Sequence, residues 1–241
     1  MCIRQAYIGV DGCPAGWLAI TFAAEEKPVS AVFPTITALH TAYPNAQRVL
    51  IDIPIGLPED RPRACDVAAR HRLGNRRSSV FPVPVRAAVY AEDYPTACDV
   101  NQAATGKRIS KQAWNITPKM REVDAFLRGG QRGYLLESHP EVVFTALAGA
   151  PMRYGKKSGV GFLERVDVLR RHIPDVEAFI YATRAAYKPA EVADDDILDA
   201  LVLAVVARFE SLRTLPDEPP TDAHGLPMEI VYPHRPPYPN R

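Results

Sequence analysis

Residues 6–24 read AYIGVDGCPAGWLAITFAA. Two apolar runs flank DGCPAG, whose Gly and Pro residues favour chain reversal, so the stretch predicts two strands joined by a hairpin-like turn. SAVFPTI (30–36) reads as a short third strand after the EEKP turn, and TALHTAYPN (37–45) as a short helix. RVLIDIPIG (48–56) then has the nearly continuous apolar character of a buried parallel strand. Three meandering strands, a helix and a buried strand are the opening of a mixed α/β fold.

Asp11 ends the first apolar run. An Asp-Gly pair is a common turn signal, so Asp11 reads either as a turn residue or as the first of several carboxylates gathered around a metal ion. Asp52 sits among aliphatics, where an ionised carboxylate is expensive unless it is paired, hydrogen-bonded or metal-bound. Pro54 cannot donate to a strand ladder, so the strand is predicted to stop near Asp52 and to leave this acid at its C-terminal edge, where open α/β sheets carry their sites. The alternative for Asp52 is an Asx-type turn into the following loop. Glu137 ends the predicted strand RGYLLES (132–138), and Glu141 falls in the first turn of the helix PEVVFTALAG (140–149), a position that the helix dipole alone explains.

The middle of the chain predicts helices over RACDVAARHRLG (63–74), YPTACDVNQAATG (94–106) and KQAWNITPKMREVDAFLRG (111–129), with SSVFPVPVRAAV (78–89) extended between them. Two more helices are predicted over GFLERVDVLRRHI (161–173) and DVEAFIYATRAA (175–186). DDDILDALVLAVVARFESLR (194–213) is the strongest helical pattern. Asp194, Asp195 and Asp196 suit the positive end of its dipole. Asp199 lies deeper, spaced i,i+4 from Asp195 and i,i+3 from Asp196, so either pair shares a face and repels unless a cation or proton intervenes. Ala200, Ala204 and Ala207 allow this helix to lie close on a sheet. One acid from the first strand, one from a later strand edge and one or two from the last helix would make a centre of hard oxygen ligands, suited to Mg²⁺ or Mn²⁺ and to phosphodiester hydrolysis.

The bulk composition narrows the alternatives. The chain has 241 residues and a formal net charge of +1, which excludes a global basic field, so any nucleic-acid contact needs a local patch. Cys2, Cys13, Cys65 and Cys98 form no C-x-x-C pair and suggest neither a zinc site nor a disulfide framework. No targeting or membrane-spanning segment is read, and the chain is expected to be soluble and cytoplasmic. No P-loop, G-x-G-x-x-G, G-x-S-x-G or H-E-x-x-H motif is present. Arg61, Arg63, Arg70, Arg72, Arg76 and Arg77 crowd residues 61–77, and Lys107, Arg108, Lys111 and Trp114 follow. Such cations can meet phosphates and an aromatic can stack on a base, or they can be solvated helix faces and core. His139 reads as a helix N-cap.

Across nearly the whole chain up to the tail, the motifs GVDGCPAGW (9–17), IDIPIGLP (51–58), CDVAAR (65–70), SSVFPVPVR (78–86), GKRISKQAWNITPKMREVD (106–124), ESHPEVVF (137–144), KKSGVGFLER (156–165) and DDDILDALVLA (194–204) resemble the DUF429 family. That family is described as predicted nucleases of ribonuclease H-like fold. The resemblance implies a ribonuclease H-like α/β domain over residues 1–214: a central mixed sheet, three antiparallel strands and then parallel ones, flanked by helices. It would carry a helical or irregular insertion at about 59–130 and a Pro-rich irregular tail at 215–241. It also implies a metal-dependent nuclease acting on nucleic acid. In the wider superfamily, acids on the first strand, at the end of the fourth and in the last helix hold the metals. Carried over, these are Asp11, Asp52 and the D-x-x-D-A pair Asp196 and Asp199. Glu137 would be an added ligand or a supporting acid, and Lys111 a phosphate or leaving-group contact alongside Arg76, Arg77 and Trp114. Two other readings stay open. One is a catalytically inactive module of the same fold that binds nucleic acid or protein. The other is an ATP-hydrolysing or phosphotransfer enzyme of the same superfamily, whose first strand also carries an Asp-Gly motif.

Overall fold

The computed structural model describes residues 6–23 and 27–234. In chain order the elements begin with strands β1 (Ala6–Cys13), β2 (Gly16–Ala23) and β3 (Val29–Phe33), helix α1 (Ile36–Ala42) and strand β4 (Arg48–Ile51). Helix α2 (Ala64–Leu73) runs into a 3-10 turn (Gly74–Ser79), followed by α3 (Arg86–Val89), α4 (Tyr94–Thr105) and α5 (Lys111–Arg128). Strand β5 (Leu135–Glu137), helices α6 (Pro140–Ala148), α7 (Gly159–Arg170), α8 (Val176–Ala186) and α9 (Asp194–Ala207), and strands β6 (Leu212–Leu215) and β7 (Ile230–Pro233) complete the order. Cys2 lies outside the described residues.

The chain divides into two compact units. Among the described residues, the first takes those up to Asp52, Tyr134–Arg213 and 232–234; the second takes Ile53–Gly133 and Thr214–Val231. The second unit therefore covers the stretch read as an insertion and adds part of the Pro-rich tail to it.

The first unit is built on a five-stranded mixed sheet in the order β3-β2-β1-β4-β5. β1 pairs antiparallel with β2, and β2 with β3, while β1, β4 and β5 run parallel. This is the α/β sheet expected from the alternation of apolar runs and turns, and it is compatible with a ribonuclease H-like fold. The central strand β1 has Ile8 and Val10 wholly buried, and α9 lies across the sheet with every residue from Ile197 to Ala207 buried. A Cβ on Gly9 would fall 2.1 Å from both the Ala200 carbonyl oxygen and the Ala204 nitrogen. The absence of a side chain at Gly9 is thus what allows α9 to lie backbone-to-backbone against β1.

In the second unit, α4 and α5 pack with the segment 85–91 around Val85, Ala88, Ala97, Cys98 and Ile109. Two arginines of its interior are held by carboxylates. Arg63 forks onto Asp66 and donates to the Ile55 carbonyl at 2.9 Å, both side chains being almost wholly buried. Arg86 bridges Asp124 (2.8 Å) and Asp222 (2.6 Å).

Three expectations need correction. The last helix does not run to Arg213. It ends at Ala207, where the Arg48 guanidinium from β4 takes the Ala207 and Phe209 carbonyls at 2.9 and 2.5 Å, and residues 212–215 become a strand. The segment 78–89 is not extended throughout, since Arg86–Val89 forms a helical turn after Pro84. The Pro-rich tail is irregular only in part, for Ile230–Pro233 is a buried strand paired with β6.

Candidate metal centre

Parallel register brings the first two acids side by side. Val10 pairs with Ile51, and the ladder continues through the Asp52 amide, which donates to the Val10 carbonyl at 3.0 Å. Asp11 and Asp52 therefore stand at the same level on adjacent strands. Asp11 is not in the hairpin turn: β1 continues to Cys13, and Asp11 faces Leu18 of β2 in full antiparallel register. Its Oδ1 accepts from the Gly12 amide at 2.7 Å. Two residues along a strand return to the same face, so Asp11 projects on the Gly9 side, toward α9. The close approach of α9 at Gly9 then delivers Asp199, the residue before Ala200, to the same place.

Asp11, Asp52 and Asp199 each offer a carboxylate oxygen within 4.8 Å of the others. Asp11 is 8% exposed and Asp199 2%. Lys156, from the loop before α7, reaches into this group. Its Nζ donates to Asp199 Oδ2 and lies 3.4 Å from Asp195 Oδ2. The i,i+4 pair on α9 is thus bridged by a cation, as the spacing of like charges requires.

The charges remain unbalanced. Burial raises the pKa of Asp11 well above the usual carboxylate value, and the neighbouring Asp52 and Asp199 raise it further, against the opposing pull of Lys156. Burial also raises Asp52, with the His139 ring and Lys156 drawing it down. Asp199 is pushed up to about 6 by burial, against Lys156 and with Asp52 adding to the rise. Burial lowers the Lys156 pKa, but the Asp199, Asp11 and Asp52 carboxylates outweigh it, and the ammonium is held well above its ordinary value. Hard oxygen donors from three elements, desolvated and short of positive charge, suit a divalent cation such as Mg²⁺ or Mn²⁺. Asp11, Asp52 and Asp199 are the residues that could hold it.

The other predicted acids are placed differently. Asp196 accepts from the Ala193 amide through Oδ2 at 2.8 Å and so caps its own helix, while its charge still raises Asp11. Glu137 is buried at the end of β5 but pairs in register with Ile51, one residue short of the Asp52 level. Alternation along a strand turns it to the face opposite Asp11 and Asp52, and it stands outside the three-carboxylate group. Glu141 is a buried ion-pair partner of Arg165 at 2.6 Å. His139 is the N-cap of α6, its Nδ1 accepting from the Glu141 amide at 3.2 Å.

The predicted substrate-facing cations all lie in the second unit. Arg76 and Arg77 are in the 3-10 turn, Arg77 exposed and Arg76 half-buried. Lys111 is exposed at the start of α5 with its Nζ 4.1 Å from the Tyr94 ring centroid. Trp114 is half-buried and packs against the core of that unit. Of the other arginines, Arg63 is a buried structural cation, and Arg70 donates to the Val80 carbonyl at 2.5 Å.

Lys156 is the site residue that the sequence does not single out. It is one of two adjacent lysines before a Ser-Gly helix start and stands 43 residues from Asp199, with no periodic relation to it.

The family model described as "Protein of unknown function (DUF429)" matches residues 9–221. The chain belongs to the DUF429 family. The matched span contains all three carboxylates and Lys156. No curated protein and no solved structure matches this DUF429 chain. Among the described residues, no helix is long and apolar enough to cross a membrane.

Proposed function

We propose that this DUF429 protein is a metal-dependent nuclease that hydrolyses phosphodiesters with Mg²⁺ or Mn²⁺ held by Asp11, Asp52 and Asp199. One observation carries the reading: three carboxylates from β1, the end of β4 and α9, Asp11 and Asp199 buried and Asp52 half-buried, converge within 4.8 Å without enough positive charge to balance them. When bound, a hard divalent ion supplies electrophilic activation of the phosphodiester and of the attacking water. The protein's part is to hold the three carboxylates rigidly, through the β1–β4 ladder and the flush packing of α9. Asp196, whose charge raises the Asp11 pKa, is proposed as a supporting acid, while Glu137, on the other face of the sheet, is given no part in the centre. Arg76, Arg77 and Lys111 are proposed phosphate contacts and Trp114 a base-stacking contact, on the chemistry of their side chains.

The test is Mn²⁺ calorimetry together with cleavage of single- and double-stranded DNA and RNA. The wild type is expected to bind Mn²⁺ and to cleave only with Mn²⁺ or Mg²⁺ present, and the Asp11→Asn/Asp199→Asn double variant to lose both properties. Metal binding and cleavage that persist in the double variant overturn the reading. Metal and nucleic-acid binding without cleavage leaves the inactive binding module instead.

A further inference from the structure

We propose that Lys156 is a built-in second cation, so that the three-carboxylate cluster takes one divalent ion rather than two. This rests on the metal-centre reading above. Two-ion centres divide the neutralisation of a transferring phosphate between two divalent ions. Here one flank of the cluster already carries a positive charge: the ammonium bonds Asp199 and sits beside Asp195. The ammonium thus answers the carboxylate charge on the Asp195–Asp199 flank and leaves the Asp11 and Asp52 side of the cluster to a single divalent ion. A lysine in this place supplies a compact charge with three donors, able to meet a phosphate oxygen, but no coordination site.

The loop that carries Lys156 is pinned on both sides. Glu164 accepts from the Arg153 and Tyr154 amides at 2.9 and 3.1 Å. The buried Arg165, paired with Glu141, donates to the Tyr154 and Gly161 carbonyls. Ser158 donates to the Gly155 carbonyl at 2.8 Å and accepts from the Gly161 amide at 3.1 Å. A Cβ on Gly161 would fall 2.1 Å from the Gly155 carbonyl oxygen, so the turn closes tightly on itself. A surface lysine that met the acids by chance would need none of this bracing. Lys156 and Asp195 also line a cleft of about 440 Å³ with Lys157, Ser158, Gly159 and Phe162, so this flank is reachable from solvent. A second ion could enter there if the lysine were absent.

The experiment counts Mn²⁺ per full-length chain, by calorimetry and by the electron paramagnetic resonance of free Mn²⁺, for wild type, Lys156→Met, Lys156→Gln and Lys156→Arg. Circular dichroism checks that each is folded. One ion is expected in wild type and Lys156→Arg, and two in the neutral variants. Two ions in wild type overturn the proposal while leaving the metal centre standing. So does a folded neutral variant that still binds one ion with a Kd within about threefold of wild type. No ion bound by wild type overturns the metal-centre reading itself, and this proposal with it. If neither neutral variant folds, the wild-type count decides: one ion supports the proposal and two overturn it.

Discussion

Replacing Gly9 with alanine should separate α9 from the sheet, and with it Asp199 from Asp11. The added Cβ would lie 2.1 Å from the Ala200 oxygen, 2.1 Å from the Ala204 nitrogen and 2.8 Å from the Leu203 carbonyl carbon. All three are backbone atoms, so no rotamer change relieves the contact. Ordinary non-bonded separations are about 3.5–4.0 Å, so the helix must retreat by more than about 1 Å. Overpacking that side chains can absorb costs about 1–3 kcal/mol. With backbone on both sides the cost should reach at least the upper end, about 3 kcal/mol, a large share of a total stability of about 5–15 kcal/mol. Urea unfolding followed by far-ultraviolet circular dichroism measures it, provided the slope with denaturant is unchanged. Gly159→Ala is the control: it has nothing within 4 Å and no positive φ, and should stay within about 0.5 kcal/mol of wild type. Because Asp199 adjoins the clash, Gly9→Ala should also weaken Mn²⁺ binding on the order of tenfold. A Gly9→Ala protein within about 0.5 kcal/mol of wild type, binding Mn²⁺ equally well, would refute the flush packing and its role in assembling the cluster.

Two further predictions follow from the buried charges. Asp11→Asn should stabilise the metal-free protein at pH 8, read as a higher melting temperature, while abolishing the rise that Mn²⁺ gives wild type. The sign comes from the raised Asp11 pKa. The stability of its protonated form is fully present below the unfolded value and is lost as pH rises through the folded one, so at pH 8 the aspartate is a net cost that asparagine removes. Asp124→Asn should act oppositely. Burial raises the Asp124 pKa, but hydrogen bonds from Arg86 and Tyr90 and the Arg86 charge outweigh it and leave the carboxyl below its usual value. Its contribution is therefore present above the unfolded pKa and lost as pH falls through the folded one, and the variant should lose about 3 kcal/mol at pH 7 and show a flatter acid limb in urea unfolding.

What the sequence made legible was local. The antiparallel opening could be read from two apolar runs and a Gly-Pro turn, and the close lie of α9 on the sheet from Ala200, Ala204 and Ala207. The placement of Asp52 followed from Pro54, which ends the ladder. Asp11 was ambiguous because Asp-Gly suits a turn, and only the pairing of β1 with β2 through Cys13 and Gly16 moves the turn past it. Glu137 shows how a strand-end acid can look equivalent to Asp52 and still face the other way, since one residue of register reverses it. Lys156, the Arg63–Asp66 pair at the edge of α2 and the Arg48 cap on α9 were opaque for different reasons. Arg48 and its carbonyl partners are 159 and 161 residues apart, Lys156 and Asp199 are 43 apart, and no periodicity links either set. Arg63 and Asp66 are close in sequence, but their spacing is equally that of an exposed helix pair. Only burial distinguishes the two.

The direction of the carboxylate shifts separates acids that build this fold from acids that could hold a cation. Perturbed pKa values arise in structural ion networks as well as at active sites, so perturbation alone does not discriminate. In a structural network the acid is given enough partners for its charged form to prevail: Asp124 receives Arg86, Tyr90 and Arg128, and its pKa falls despite burial. In the β1–β4–α9 cluster Lys156 is opposed by three carboxylates, and the pKa values of all three rise. A fold under selection for stability alone would replace one of these acids with an apolar residue or add a second base, since either change relieves the repulsion. Keeping three under-neutralised carboxylates within 4.8 Å makes physical sense when a cation that binds only the folded protein completes the charge balance, and its binding free energy then offsets the cost of bringing them together.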